Sequence, residues 1–131
     1  TEEIYQLISK EKKSIHLEKF LILPKTYENS DLKDKWINLV KLRDICNISI
    51  EEKRASKIIG SSLEAIISLQ LDKKTLELIK DTDLSELCIT SGAIIENGIF
   101  ENINVKTDKA DGTKCPVCWK ISKDLCQRHN N

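Results

Sequence analysis

Four side chains that commonly bind metal ions lie close together at the C-terminal end of the sequence. Cys115 and Cys118 form one pair, and Cys126 and His129 form a second pair with the same spacing. A Cys-x2-Cys turn directs both sulfur atoms toward one point, and two such pairs supply the four ligands of a tetrahedral zinc ion. Four protein ligands leave no position for water. The spacing therefore predicts one structural, non-catalytic Zn²⁺ ion.

Other uses of these residues stay open. Cys115 and Cys118 could form a redox pair, although no thioredoxin-like pattern surrounds them. An iron–sulfur cluster prefers four Cys ligands, and His129 could be a surface residue near the chain end. The chain has five Cys in total, three of them in its last 17 positions. This odd, crowded set is not typical of a secreted disulfide framework and favours a metal site in the cytoplasm.

The other Cys and His residues indicate no second site. Cys46 and Cys88 lie on apolar helix faces, and we interpret both as core residues. His16 is the one remaining His and is isolated in its segment, so a structural role is predicted. The sequence contains no Gly-rich phosphate loop and no Ser/His/Asp pattern. We therefore expect no catalytic site in this chain.

The C-terminal end is basic, although the chain as a whole is neutral. The sequence has 21 basic and 21 acidic residues, whereas residues 106–131 hold six basic and three acidic ones. A local charge of this size favours weak, salt-dependent contacts with phosphate groups. Trp119 could stack on a base, although covering the metal site is its favoured role. The candidate nucleic-acid-binding residues are Lys114, Trp119, Lys120, Lys123 and Arg128.

Helical elements are predicted for the first half of the chain. Residues 1–9 follow a short amphipathic helical pattern, whereas residues 14–23 are extended in character. The spacing of apolar residues predicts a long helix over 32–59, capped by Asp31 and ended by Gly60 in a left-handed conformation. Its apolar stripe is wide, so we expect it to pack against further helices outside this chain.

A small mixed unit is predicted to follow the long helix. Alternating apolar residues indicate a strand over 63–71. Asp72 and Asp83 are predicted to cap two short helices. Strands over 89–96 and 99–107 are predicted to form a hairpin, because Asn-Gly is a strong hairpin signal. That signal is Asn97-Gly98, and a polar linker is expected over 106–113.

These elements predict an α+β fold in three parts. A helical segment covers 1–60, a small mixed α/β unit with about three strands covers 61–107, and a C-terminal zinc knuckle covers 108–131. No signal peptide and no apolar run of about 18 residues is present, so we expect no membrane association. The chain begins without Met inside a helical pattern, and we expect it to be a fragment of a longer protein.

Five stretches of the sequence resemble, in order, the C-terminal region of bacterial isoleucyl-tRNA synthetases. Each motif is weak by itself, but the ordered set covers nearly the whole chain and is specific. The tail is also similar to the C-terminal finger of formamidopyrimidine DNA glycosylases, but the rest of the chain does not support that family. The stretches are 2–7 (EEIYQL), 14–18 (SIHLE), 53–65 (KRASKIIGSSLEA), 87–93 (LCITSGA) and 114–119 (KCPVCW).

The resemblance implies the end of an anticodon-binding helical domain, a junction domain and a zinc finger. The parent enzyme would join isoleucine to tRNA(Ile), and ATP would bind only in its missing catalytic part. This chain would bind tRNA and the remainder of the synthetase chain, as part of a cytoplasmic monomer. The family commonly has Cys where this chain has His129, and its two ligand pairs lie further apart. The alternatives are a free-standing zinc-dependent nucleic-acid-binding module and a zinc-stabilised protein-interaction domain.

Overall fold

The computed structural model describes residues 1–9, 13–126 and 128–129. The chain divides into two compact units, Thr1–Ser30 and Asp31–Asn131. Together they contain α-helices, a mixed three-stranded sheet and a two-stranded C-terminal hairpin. The predicted α+β fold class is therefore confirmed. None of the helices in the described part of the chain is long and apolar enough to span a membrane.

The first unit contains helix α1, Glu2–Ile8, as predicted. The segment predicted to be extended contains a 3-10 turn at Ile15–Leu17, and a second one lies at Lys25–Tyr27. The first turn forms because the Ser14 hydroxyl accepts a hydrogen bond from the His16 amide. The Glu2 carboxylate accepts a hydrogen bond from the Ile15 amide in the same turn. Local side-chain hydrogen bonds thus replace the extended conformation.

Helix α2, Ser30–Ala55, lies in the second unit from Asp31 onward. It is the predicted long helix, but it begins and ends a few residues earlier than predicted. Asp31 lies inside its first turn rather than before it. The left-handed residue after the helix is Lys57, at φ 57°, and not Gly60 as predicted. The amides of Lys57 and Ile58 bond back to the carbonyls of Arg54 and Lys53 at 3.0 Å each. This is a Schellman ending, which satisfies the last carbonyls before the chain reaches Gly60.

One stripe of α2 is buried, and apolar residues before it and beside it are partly exposed. The buried residues follow helical spacing and pack into the core: Leu39, Leu42, Cys46 and Ile50. Leu32, seven positions before Leu39 on the same stripe, and Trp36 are each 49% exposed, and Val40, beside the stripe, is 44% exposed. The rest of the second unit thus covers only part of the predicted apolar stripe.

The three-stranded sheet has the order β2-β1-β3, with β1 in the centre. Strand β1 is Ala65–Gln70, β2 is Gly92–Ile95 and β3 is Asn104–Lys109. Strand β1 pairs in parallel with β2 and antiparallel with β3. Ala65, Ile67 and Leu69 are fully buried, as their alternation predicts. The central strand thus supplies the middle of the core.

The predicted hairpin at Asn97-Gly98 is wrong. Strands β2 and β3 do not pair with each other, because each pairs with one edge of β1. The chain after β2 instead crosses the end of β1, where the Phe100 amide donates to the Leu71 carbonyl at 3.1 Å. Strand β3 also begins later than predicted and includes part of the segment predicted to be a linker. Pairing of the apolar strand β1 along both of its edges outweighs the local turn signal.

The two short helices carry the predicted caps. In α3, Lys73–Ile79, Asp72 Oδ1 accepts from the Thr75 amide at 2.9 Å. In α4, Leu84–Leu87, Asp83 Oδ1 accepts from the Ser85 and Glu86 amides at 2.8 and 3.2 Å. The two helices form the connection that allows β1 and β2 to run parallel.

The core lies between α2, the sheet and the two short helices. Cys46 and Cys88 are 0% and 3% exposed and belong to this cluster, which confirms their predicted place in the core. The cluster contains residues from both sides of Gly60. The predicted three-part division at residues 60 and 107 stays a prediction about domain limits.

Candidate metal centre

A short β-hairpin carries the first ligand pair. Strand β4, Thr113–Lys114, pairs antiparallel with β5, Ile121–Ser122. Between the strands, the Cys115 amide donates to the Lys120 carbonyl at 2.9 Å and the Trp119 amide donates to the Cys115 carbonyl at 3.0 Å. These bonds close a tight turn that places Cys115 and Cys118 at the hairpin tip.

Two backbone positions allow this turn. Gly112 has a φ of 130°, and a Cβ atom there would overlap the backbone of Ser122 on the opposite strand. Glycine is therefore required at the base of the hairpin. Trp119 has a φ of 65°, which is uncommon for a large residue. The loop thus holds a strained conformation at the point where it turns back toward β5.

The structure brings all four predicted ligands together. Cys118 Sγ lies 3.7 Å from Cys126 Sγ, and His129 Nδ1 lies 3.6 Å from Cys115 Sγ and 3.4 Å from Cys126 Sγ. All four donor atoms lie within 4.8 Å of one another. Zinc–ligand bonds of about 2.0–2.3 Å at tetrahedral angles require separations of about 3.5 Å between nitrogen and sulfur and about 3.8 Å between two sulfur atoms. The donor set therefore fits a tetrahedral metal ion.

The backbone around the cluster favours the thiolate form of Cys115. Amide hydrogen bonds from Cys118 and Val117 lower the pKa of Cys115 to about 6, with help from the neighbouring thiols of Cys118 and Cys126. Cys115 is also 5% exposed. For Cys118 the Lys120 amide acts to lower the pKa, but burial and the neighbouring thiols outweigh it and raise the value. One thiol is thus ready to bind a cation near neutral pH.

The candidate nucleic-acid-binding residues lie in different surroundings. Lys114 Nζ lies 5.2 Å from the centre of the Trp119 ring, and this indole is 57% exposed. Lys123 pairs with Asp111 at 3.2 Å, and both side chains are largely exposed. Lys120 and Arg128 instead share one carboxylate on α4, described next. The five residues therefore do not form one uniform cationic surface.

The tail contacts α4 and the turn that follows it through two residues that the sequence did not single out. Glu86 Oε1 accepts from Lys120 Nζ at 2.6 Å and from Arg128 at 3.2 Å. Ser91 Oγ accepts from the Ile121 amide at 2.6 Å. The sequence showed that Glu86 lies in the first turn of α4 and that Ser91 lies in the LCITSGA stretch. No sequence pattern indicated that either residue contacts the tail. His16, in the first unit, is not part of the cluster.

The chain is similar over its length to parts of known enzymes. No protein-family profile matches it. It is 56% identical over 131 residues to an isoleucine–tRNA ligase of Pelagibacter ubique, covering all of this chain and 14% of that protein. It is 33% identical over 126 residues to the ligase of Bartonella henselae and 33% over 121 residues to that of Zymomonas mobilis, in each case covering 88% of this chain and 13% of the relative. The chain thus spans about one seventh of the length of these relatives.

Proposed function

The chain belongs to the isoleucine–tRNA ligase family as a C-terminal segment, and from this premise we propose that it binds tRNA and holds one structural zinc ion. The zinc ligands are Cys115, Cys118, Cys126 and His129. The observation that carries the proposal is the set of sulfur and nitrogen separations of 3.4–3.7 Å among these side chains. A Zn²⁺ ion there would cross-link the two ligand pairs and would leave no position for a reacting water.

The small amount of apolar burial in the tail supports a structural role for the ion. Val117 is 59% exposed, Trp119 57% and Leu125 71%. Side chains this exposed contribute only part of the ~1.5–3 kcal/mol that full burial provides. A structural zinc site contributes roughly 10–16 kcal/mol in small peptides near neutral pH. The metal would therefore be the main source of stability for residues 113–129.

Exposed groups of the tail support binding to tRNA. Trp119 presents an indole ring next to the Lys114 ammonium group. A base can stack on such a ring while the cation contacts its phosphate. Lys123 adds a second exposed cation, in an ion pair with the exposed Asp111. The other two cations that the sequence suggested for tRNA binding, Lys120 and Arg128, form ion pairs with Glu86, so the proposed tRNA-binding set is Lys114, Trp119 and Lys123.

The parent enzyme supplies the reaction and the rest of the architecture. In this proposal it is a cytoplasmic monomer that joins isoleucine to tRNA(Ile), with ATP bound in its catalytic part. Residues 1–60 end its anticodon-binding domain, residues 61–107 form the junction and residues 108–131 the zinc finger. The partly exposed apolar face of α2 is suited to contact with the remainder of the synthetase chain.

The test uses the full-length ligase. Native mass spectrometry should find one zinc ion bound by the tail. In filter binding, Trp119→Ala should weaken tRNA(Ile) binding by about tenfold, within the ~1–3 kcal/mol that stacking on one base contributes. Lys114→Ala should reduce the slope of log affinity against log salt by about 1. Lys33→Ala, on the exposed surface of α2, serves as the control.

Three outcomes would redirect the proposal. Absence of zinc from the purified enzyme would remove the metal part. Unchanged tRNA affinity in the Lys114→Ala/Trp119→Ala double variant would remove the tRNA part. Equal affinity of the zinc-loaded ligase for duplex DNA and for tRNA would favour the general nucleic-acid-binding module instead.

A further inference from the structure

We propose that Glu86 and Ser91 are positioning residues that fix the zinc knuckle on the α/β unit. In this role Lys120 and Arg128 are docking groups rather than contacts to nucleic acid. The inference goes beyond the proposed function, because the contacts concern the placement of the tail and not the ligand that it binds. They connect segments that lie 30 or more positions apart in the chain.

The Ser91 hydroxyl bridges the tail and the start of the central strand. Its oxygen accepts from the Ile121 amide at 2.6 Å, and its hydrogen is donated to the Leu63 carbonyl at 2.5 Å. The Ser91 amide also donates to the Ala65 carbonyl at 2.9 Å. Replacing the hydroxyl by hydrogen would leave both the Ile121 amide and the Leu63 carbonyl without this partner. Ser91 therefore connects β5 to the sheet through one side chain.

The Glu86 carboxylate bridges the two halves of the knuckle. Lys120 follows the Cys115–Cys118 pair, and Arg128 lies between Cys126 and His129. Both cations bind the same oxygen of Glu86, at 2.6 and 3.2 Å. Lys120 also donates to the Ser85 hydroxyl at 3.3 Å. One carboxylate thus fixes the orientation of each ligand pair relative to α4.

The turn after α4 is shaped to present both residues. Ile89 lies in the left-handed region at φ 54°, which is strained for a β-branched side chain. The Ile89 and Thr90 amides bond back to the carbonyls of Glu86 and Ser85 at 3.3 and 2.9 Å. This ending reverses the chain within a few residues. Glu86, at the end of the helix, and Ser91, just past the turn, consequently contact the same tail.

Exposure distinguishes the docking cation Lys120 from the solvent-exposed Lys123. The Lys120 side chain is 24% exposed, whereas that of Lys123 is 75% exposed. To bind a phosphate group, Lys120 would have to leave both Glu86 and Ser85. The largely exposed pair of Lys123 with Asp111 is weak and exchanges readily for a phosphate contact, whereas the less exposed Lys120 is held by two partners. Lys120 is therefore better suited to holding the tail than to binding RNA.

The first measurement is hydrogen exchange of the tail in the full-length ligase, followed by mass spectrometry and resolved to the Ile121 amide. Ser91→Ala should accelerate exchange at Ile121 by about fivefold, as expected for one ordinary hydrogen bond. Ser91→Thr keeps the hydroxyl and should restore most of the protection. Asp111→Ala removes an exposed ion pair of the same tail and should change nothing at Ile121. This readout needs no tRNA, and the zinc content of each variant is measured alongside it. Faster exchange at Ile121 with unchanged zinc content reports the lost docking contact, so its failure is distinct from failure of the proposed function.

The second measurement compares Glu86→Ala, Lys120→Ala and the double variant. Both single changes should accelerate Ile121 exchange, and Glu86→Ala should do so more strongly because it releases Arg128 as well as Lys120. The double variant should show less than the sum of the two single effects, because the Glu86–Lys120 contact is common to both. Both single changes should also lower tRNA(Ile) affinity. Unchanged exchange in Ser91→Ala or Glu86→Ala would overturn the proposal. So would a loss of tRNA affinity in Lys120→Ala that Glu86→Ala does not reproduce.

Discussion

Cys115 Sγ and His129 Nδ1 lie 3.6 Å apart, although the two residues are fourteen positions apart in the chain. The hairpin β4–β5 and the second ligand pair bring them together without a disulfide bond, since all five Cys, each in the described part of the chain, are free. The distance places His129 in the cluster that could hold a metal ion, which supports its proposed role as the fourth ligand. It also leads to the first prediction.

Replacement of His129 should weaken metal binding in a graded way. His129→Cys should keep zinc, because a thiolate can replace the imidazole at a tetrahedral corner. His129→Ala should retain zinc with lower affinity, since water can occupy the fourth position, whereas Cys126→Ala should lose it. Native mass spectrometry and the visible spectrum of the cobalt-substituted enzyme measure these effects. Equal zinc retention in His129→Ala and the unmodified enzyme would show that the imidazole is not a ligand.

Gly112→Ala should disrupt the knuckle and release the metal. The added Cβ would overlap the Ser122 backbone, which belongs to the partner strand and cannot move away without opening the hairpin. Gly60→Ala is the matched control, because its Cβ would meet only the Glu64 side chain at an ordinary 3.5 Å. Zinc content after gel filtration compares the two. Full zinc occupancy in Gly112→Ala would contradict the steric argument.

Lys57→Gly should stabilise the second unit by about 1 kcal/mol, because a non-glycine residue in the left-handed conformation carries a cost of that order. The Lys57 side chain is exposed, so little packing is lost. Glu52→Gly, exposed within the same helix, should destabilise by about 1 kcal/mol. Urea denaturation measures both changes. A lower midpoint for Lys57→Gly would mean that the lysine side chain contributes contacts that outweigh the strain.

Asp83 should make the stability of the second unit depend on pH. The Ser85 hydroxyl and the Glu86 and Ser85 amides lower the pKa of this carboxyl group. A lowered folded-state pKa means that the stabilisation is complete above the unfolded value of about 3.9 and is lost as pH falls through the folded value.

The variant Asp83→Asn keeps the cap but does not titrate. Its free energy of unfolding, compared with that of the original chain between about pH 7 and pH 3, should therefore fall less steeply below about pH 4. Loss of metal in acid affects both proteins and cancels in the comparison. Identical pH profiles of the two proteins would show that Asp83 is not the source of the pH-dependent stability. Asp34→Asn, exposed on α2, controls for the removal of one surface charge.

Features that depend on neighbouring residues could be predicted from the amino-acid sequence. Asp72 and Asp83 cap the helices that follow them because a carboxylate reaches the amides two or three positions ahead. The apolar alternation in Ala65–Gln70 predicted its buried face. The spacing of Cys115 and Cys118 likewise predicted a metal-binding turn, and the domain limits and ligand roles inferred with it stay predictions.

Which distant segments meet depends on the tertiary structure. The turn at Asn97-Gly98 predicted a hairpin, but both flanking strands pair with the apolar strand β1, which is buried and has its backbone groups satisfied along both edges. Helix α2 ends at Ala55, and its left-handed residue is Lys57 rather than Gly60, because backbone hydrogen bonds close its last turn earlier. The contacts of Glu86 and Ser91 with the tail join residues 30 or more positions apart. Local patterns carry no information about such pairs, because their free energy arises only when folding brings the two segments together.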